Sequence, residues 1–240
     1  MMKTKSYFII SLLAIALAFS PAISPAQSLA SAANKSAVMT KDAQANLTSD
    51  AALEDLMAGN KRFVANRPDK LDMPAQVKAT TTGQYPKAVI LSCIDSRVPV
   101  EMVFDQGIGD IFVARVAGNT EDESILASME YATAVAGSKL VMVLGHEACG
   151  AVKAGIDKFE AGDNVAHLLS TIEPAIEKVK GERDSSNKKY VEEVVKTNVQ
   201  MTIDDIRERS PIMADLEKEG KIKIVGAYYN LHTGEVVLLD

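Results

Sequence analysis

The sequence predicts a single α/β domain with a parallel-core sheet flanked by helices and an antiparallel C-terminal addition. Three apolar runs of strand length, at residues 88–91, 111–114 and 140–144, carry this expectation, because unbroken apolar runs of that length mark strands covered on both faces. Residues 124–136 have helical periodicity and lie between the second and third runs. Strand, helix, strand in that order makes the sheet parallel. Residues 222–229 and 236–239, separated by a loop holding Gly234, read as a closing hairpin.

The chain has 240 residues, 47% of them hydrophobic and 24% charged, ordinary proportions for a globular protein. Its start is different. Lys3 and Lys5 precede an apolar run over 7–19, and small residues follow at Ser24, Ala26, Ala30, Ala32 and Ala33. This layout predicts a secretory signal peptide over residues 1–33, cleaved near 26 or 32, and a periplasmic or secreted mature protein. The run falls short of the ~20 apolar residues of a spanning helix, and Pro21 and Pro25 interrupt its continuation, so no stable membrane anchor is expected. Removing the segment takes away two lysines and no acid, which moves the formal charge from −6 to −8. An acidic chain with scattered Lys and Arg has no footprint for nucleic acid.

Residues 34–48, rich in Ala, Ser and Lys, read as a flexible lead-in, and residues 49–240 as the folded domain. Ser49 is placed as a helix cap, with Leu53, Leu56, Met57 and Phe63 at helical spacing and Pro68 closing the pattern. Residues 148–219 are helix-rich, with breaks expected near Gly162, Pro174, 181–187 and Pro211.

Two segments carry chemistry. Cys93-Ile94-Asp95-Ser96-Arg97 begins where the first strand ends, and His146-Glu147-Ala148-Cys149-Gly150 where the third ends. Binding sites of open parallel sheets form at the carboxyl ends of strands. Two thiolates and an imidazole converging there make three ligands of a tetrahedral zinc site, one Zn2+ per chain, with the fourth position open. His167 and His232 lie in no ligand-spaced pair and read as exposed or structural. Two cysteines in an exported chain would ordinarily form a disulfide, but that reading explains neither the spacing of His146 to Cys149 nor Asp95 and Arg97 beside Cys93. Gly150 permits close backbone approach to the ligand, although a plain turn glycine looks the same.

The paired motif, Cys93-x-Asp95-x-Arg97 followed by His146-x-x-Cys149-Gly150, resembles that of the β-class carbonic anhydrases. The likeness extends from the helix near Leu53 to the C-terminal hairpin and includes Gly83-Gln84-Tyr85-Pro86-Lys87, the strand holding Phe112, Ala117-Gly118-Asn119 and Ser128-Met129-Glu130-Tyr131. Val116 departs from it, standing where many members have asparagine. The resemblance implies reversible hydration of carbon dioxide to bicarbonate and a proton by hydroxide on zinc, with Asp95 and Arg97 as the catalytic dyad that orients it. It also implies that Gln84 donates to substrate oxygen, that Phe112, Ala117 and Tyr131 line an apolar pocket, and that a homodimer or higher homo-oligomer assembles the pocket. Two other readings of the same residues are a zinc-holding protein without turnover and a hydrolase of a sulfur analogue such as carbon disulfide.

Overall fold

A computed structural model describes residues 37–239, and the signal-peptide expectation lies outside them. No helix among the described residues is long and apolar enough to cross a membrane.

The sheet has five strands: β1 (Ala88–Ser92), β2 (Ile111–Arg115), β3 (Leu140–His146), β4 (Lys223–Tyr229) and β5 (Val236–Leu239). Their spatial order is β2-β1-β3-β4-β5. The first four strands run parallel, and only β5 is antiparallel, against β4. The expected fold class is therefore present. The C-terminal hairpin also extends the parallel core, since β4 pairs with β3.

All residues of β1 and β3 are buried, as their unbroken apolar runs predict. β2 departs from the expectation of two covered faces: it is the edge strand, and its residues are half-buried to exposed. An apolar run says that a strand is covered, not by what. Among the described residues, no strand pairs with its outer edge.

The helices are α1 (Lys41–Ala45), α2 (Ser49–Val64), α3 (Met73–Ala79), α4 (Val100–Val103), α5 (Glu123–Glu130), α6 (Gly150–Ile156), α7 (Asp163–Lys178), α8 (Lys188–Arg209) and α9 (Pro211–Lys218). The lead-in is shorter than expected. Its residues 41–45 form α1, where Gln44 is buried and donates from Nε2 to the Pro86 and Ala136 carbonyls at 2.8 and 2.9 Å. Thr48, not Ser49, caps α2, its hydroxyl accepting from the Ala51 N–H. α5 ends in a π-helical turn, Tyr131–Val135. Pro174 sits inside α7 rather than breaking it. A proline costs a helix one hydrogen bond, and here Leu169, Ile172, Ala175 and Ile176 hold the helix against the core from both sides of it.

Three apolar clusters result. α2 and α4 cover one sheet face over Ile90, Met142 and Leu144. α5, α8 and α9 cover the other over Leu91, Val141 and Val143. The third packs α6, α7 and α8 beyond the carboxyl ends of β1 and β3, and it contains Cys93 and Cys149. At Gly145 a Cβ would stand 2.7 Å from both Val195 Cγ1 and Val199 Cγ2, so a side chain there would push α8 off β3 next to His146.

Candidate metal centre

Strand register sets the ligand positions. Ser92 is level with Leu144, so Cys93, the next residue, arrives beside the Gly145-His146 end of β3. The chain then turns through Ala148, held at φ 53°, and Cys149 precedes α6. The two sulfurs lie 4.0 Å apart, and one ligand atom from each of Cys93, His146 and Cys149 falls within 4.8 Å of the others. A disulfide needs ~2.05 Å between sulfurs, whereas a tetrahedral site with Zn–S bonds of ~2.3 Å has edges of about 3.8 Å. Both cysteines are free.

The donor set fits a cation. His146 Nδ1 lies 2.9 Å from the Glu147 carbonyl oxygen. A carbonyl can only accept, so Nδ1 carries a proton and Nε2 is the ring atom that could offer a lone pair to a cation. That Nε2 is fully buried and has no hydrogen-bond partner among the described residues. A buried polar atom left unpaired in this way is costly, and coordination to a metal removes the cost. Cys93 Sγ also accepts from the Gly118 N–H at 3.4 Å. Hydrogen bonding from Cys149, helped by the Gly118 N–H, brings the Cys93 thiol down to about 4 against the opposing effect of burial. Cys149, facing the Cys93 thiolate in a buried place, is pushed up. The sulfurs thus hold one proton between them, which a dication would expel.

Asp95 stands beside this set. Its Oδ1 accepts from the Arg97 backbone N–H and Nε, both at 2.9 Å, and its Oδ2 accepts from Arg97 Nη2 at 2.7 Å. Oδ2 is 3.8 Å from His146 Nε2. The fork from Arg97 lowers the Asp95 carboxyl to about 2.

Other expected site residues divide by location. Ala117 belongs to a 3-10 turn, Ala117–Asn119, that passes Cys93 through its neighbour Gly118. Gly118 needs its glycine: φ is +76°, and a Cβ would meet Ile172 Cδ1 at 2.7 Å. At Gly150 a Cβ would meet no atom of the chain within 4 Å. Gln84 lies before β1 and Cys93 after it, and five strand residues separate such points by about 17 Å. Gln84 shares a cleft with Tyr131, Val135 and Lys41 at that far end. The Phe112 and Tyr131 rings meet edge to face, centroids 6.5 Å apart, along the exposed β2 edge. Within one chain, Gln84, Phe112 and Tyr131 are not brought to the ligands.

The structure adds residues that sequence reading missed. Arg115, at the end of β2, donates from Nε to the Cys93 carbonyl at 3.0 Å and from Nη2 to the Asp95 carbonyl at 2.7 Å. Asn198, on α8, donates to the Gly118 carbonyl at 2.9 Å. A charged residue closing an apolar strand was the available signal for Arg115. Asn198, one buried amide on a long helix, offered none.

A mostly parallel sheet with a buried Cys-His-Cys set at its strand ends and a carboxylate beside it places this chain among α/β proteins whose strand-end site could hold a metal ion. The carbonic anhydrase family profile matches residues 88–236. Carbonic anhydrase 2 of Mycobacterium tuberculosis is 38% identical over 195 residues, covering 79% of this chain and 92% of that protein. The carbonic anhydrase of Mycolicibacterium smegmatis is 37% identical over 193 residues, covering 78% and 92%. Among solved structures, a tetrameric β-carbonic anhydrase of Sordaria macrospora superposes with a TM-score of 0.62 at 21% identity, over 78% of this chain and 93% of that one, a likeness of fold. The chain belongs to the carbonic anhydrase family. It is an enzyme of the β class.

Proposed function

We propose that this chain interconverts carbon dioxide and bicarbonate at one zinc ion held by Cys93, His146 and Cys149, with Asp95 and Arg97 as the orienting dyad. The observation that carries this reading is the buried, unpartnered His146 Nε2 facing two sulfurs, with Asp95 Oδ2 at 3.8 Å. When bound, zinc supplies Lewis acidity that brings the pKa of a water to about 7.

The chain's own residues do the rest. Asp95 is ionised throughout the working pH range and can only accept hydrogen bonds. Beyond its contact with Arg97 Nη2, Oδ2 can take a further hydrogen bond only as acceptor, so an oxygen donor beside it would have to point its proton at Oδ2, leaving a lone pair free for the substrate carbon. Arg97 fixes the carboxylate plane through a two-point, charge-assisted contact. Arg115 fixes the backbone on either side of Ile94, which stops the acceptor from drifting. The 3-10 turn at Ala117 supplies an apolar wall.

The pocket is completed by a second copy of the chain. The half-exposed β2 edge, the exposed Tyr131 and Val135, and the placement of Gln84 far from its own Cys93 support a homodimer or a multiple of it. Export with removal of the first 26 to 32 residues is part of the same proposal, supported by the Lys3/Lys5 start and apolar run; the intact mass of the exported protein tests it. The function itself is tested by zinc analysis and carbon dioxide hydration on the mature protein, with carbon disulfide hydrolysis run in parallel. Zinc-loaded protein that hydrates no carbon dioxide would reject the reading.

A further inference from the structure

Glu147 and His232 have no place in the chemistry above, yet they lie against each other across 85 residues of chain. Glu147 occupies the turn between His146 and Cys149. Its N–H donates to the Tyr229 carbonyl at 2.9 Å, and its carbonyl is where His146 Nδ1 docks. Its carboxylate Oε2 accepts from the Leu231 N–H at 3.0 Å and lies 2.7 Å from His232 Nδ1. The next residue, Ala148, adopts a left-handed backbone without being glycine. That conformation is unfavourable for an L-residue and persists only where the surroundings fix it.

The β4–β5 turn is a firm anchor. Asn230 Oδ1 accepts from the His232 and Thr233 N–H groups at 2.8 and 3.0 Å, and Asn60 of α2 donates to the Gly234 carbonyl at 2.9 Å.

We propose that Glu147 is a positioning residue: by binding the β4–β5 turn, it holds the strained turn that carries two of the three metal ligands and aims His146 through its own carbonyl. The inference rests on the zinc reading above.

Its consequence is slow metal release. The test is zinc transfer from the loaded full-length protein to an excess of chelating dye, with the visible absorption of the cobalt-substituted protein as a second readout of ligand geometry. Glu147→Ala should release zinc roughly 10- to 100-fold faster, the scale of losing an outer partner of a metal ligand, with a changed cobalt spectrum. Glu147→Gln, which keeps an acceptor oxygen of the same reach, should restore the rate to within about threefold of wild type. His232→Ala leaves the Leu231 contact and should give an intermediate rate. Its side chain is 70% exposed, so that variant folds even where Glu147→Ala does not. Alanine variants that both release zinc at the wild-type rate with an unchanged cobalt spectrum overturn the proposal, as does a glutamine variant as fast as alanine. Wild-type protein that takes up no zinc instead removes the reading of the centre itself, and the role of Glu147 with it.

Discussion

At the carboxyl ends of β1 and β3, one chain supplies three ligand atoms, a carboxylate pinned by Arg97 and the Arg115 contacts that pin its backbone. At the amino end of the same sheet, Gln84, Tyr131 and Val135 gather in an open cleft, and β2 runs alongside as a half-covered edge. The first region is saturated with internal contacts. The second is only half covered among the described residues. Coordination chemistry needs positions fixed within tenths of an ångström, which buried strand ends provide. A pocket for an apolar gas needs only a covered wall, which a neighbouring copy can supply. We read the polarity of this molecule as a division between metal holding inside the chain and pocket closure between chains.

Changes at the saturated end should be the most severe. Cys149→Ser replaces a soft ligand in the third apolar cluster, and both zinc content and turnover should fall to background by metal analysis and hydration rate. Asp95→Asn should keep full zinc but lower turnover roughly 10- to 100-fold, since it keeps the size of the group and removes the ionised acceptor. Wild-type turnover in that variant would deny the dyad a catalytic part; loss of its zinc would make Asp95 a ligand.

How much of this was legible follows the same division. Cys93, His146 and Cys149 could be read because a two-strand register turns their sequence spacing into proximity. Asp95 and Arg97 could be read because they lie two residues apart in one turn. Arg115, Asn198 and Glu147 act through partners 20 or more residues away, and no local pattern encodes such a contact. The apolar run of β2 looked like that of β1, as hydropathy does not state strand order. Pro174 reads as a break in the sequence because intrinsic propensity omits the packing of Ile172 and Ile176.

The open end offers a test of milder effect. Gln84→Ala should keep its zinc and lose about tenfold in turnover, the scale of one hydrogen-bond donor to substrate. If Gln84 serves the partner's centre, mixing Gln84→Ala with Asp95→Asn subunits and letting them reassociate should raise activity above either parent. Each mixed dimer would then contain one site with an intact dyad and an intact glutamine. No gain on mixing, in a sample whose subunits exchange, would place Gln84 outside the partner's pocket.

The smallest effect concerns acid. In the metal-free protein Asp95 titrates at about 2, chiefly because of Arg97, against about 3.9 for an ordinary aspartate. A carboxylate whose folded-state pKa is depressed stabilises the fold above its unfolded pKa, and that contribution is lost as pH falls through the folded value. Arg97→Ala should therefore return Asp95 toward the ordinary range. The stability gap between wild type and variant should be full above about pH 4 and disappear near pH 2. The guanidinium is 53% exposed, so solvent screening limits the gap to on the order of 1 kcal/mol. Urea unfolding of both metal-free proteins at several pH values between 6 and 2 measures it, and carboxyl NMR follows Asp95 directly. A gap that stays constant across that range would mean that Arg97 acts by packing alone. A gap that closes with acid ties Asp95 to its guanidinium in solution, the arrangement on which the proposed role of the dyad rests.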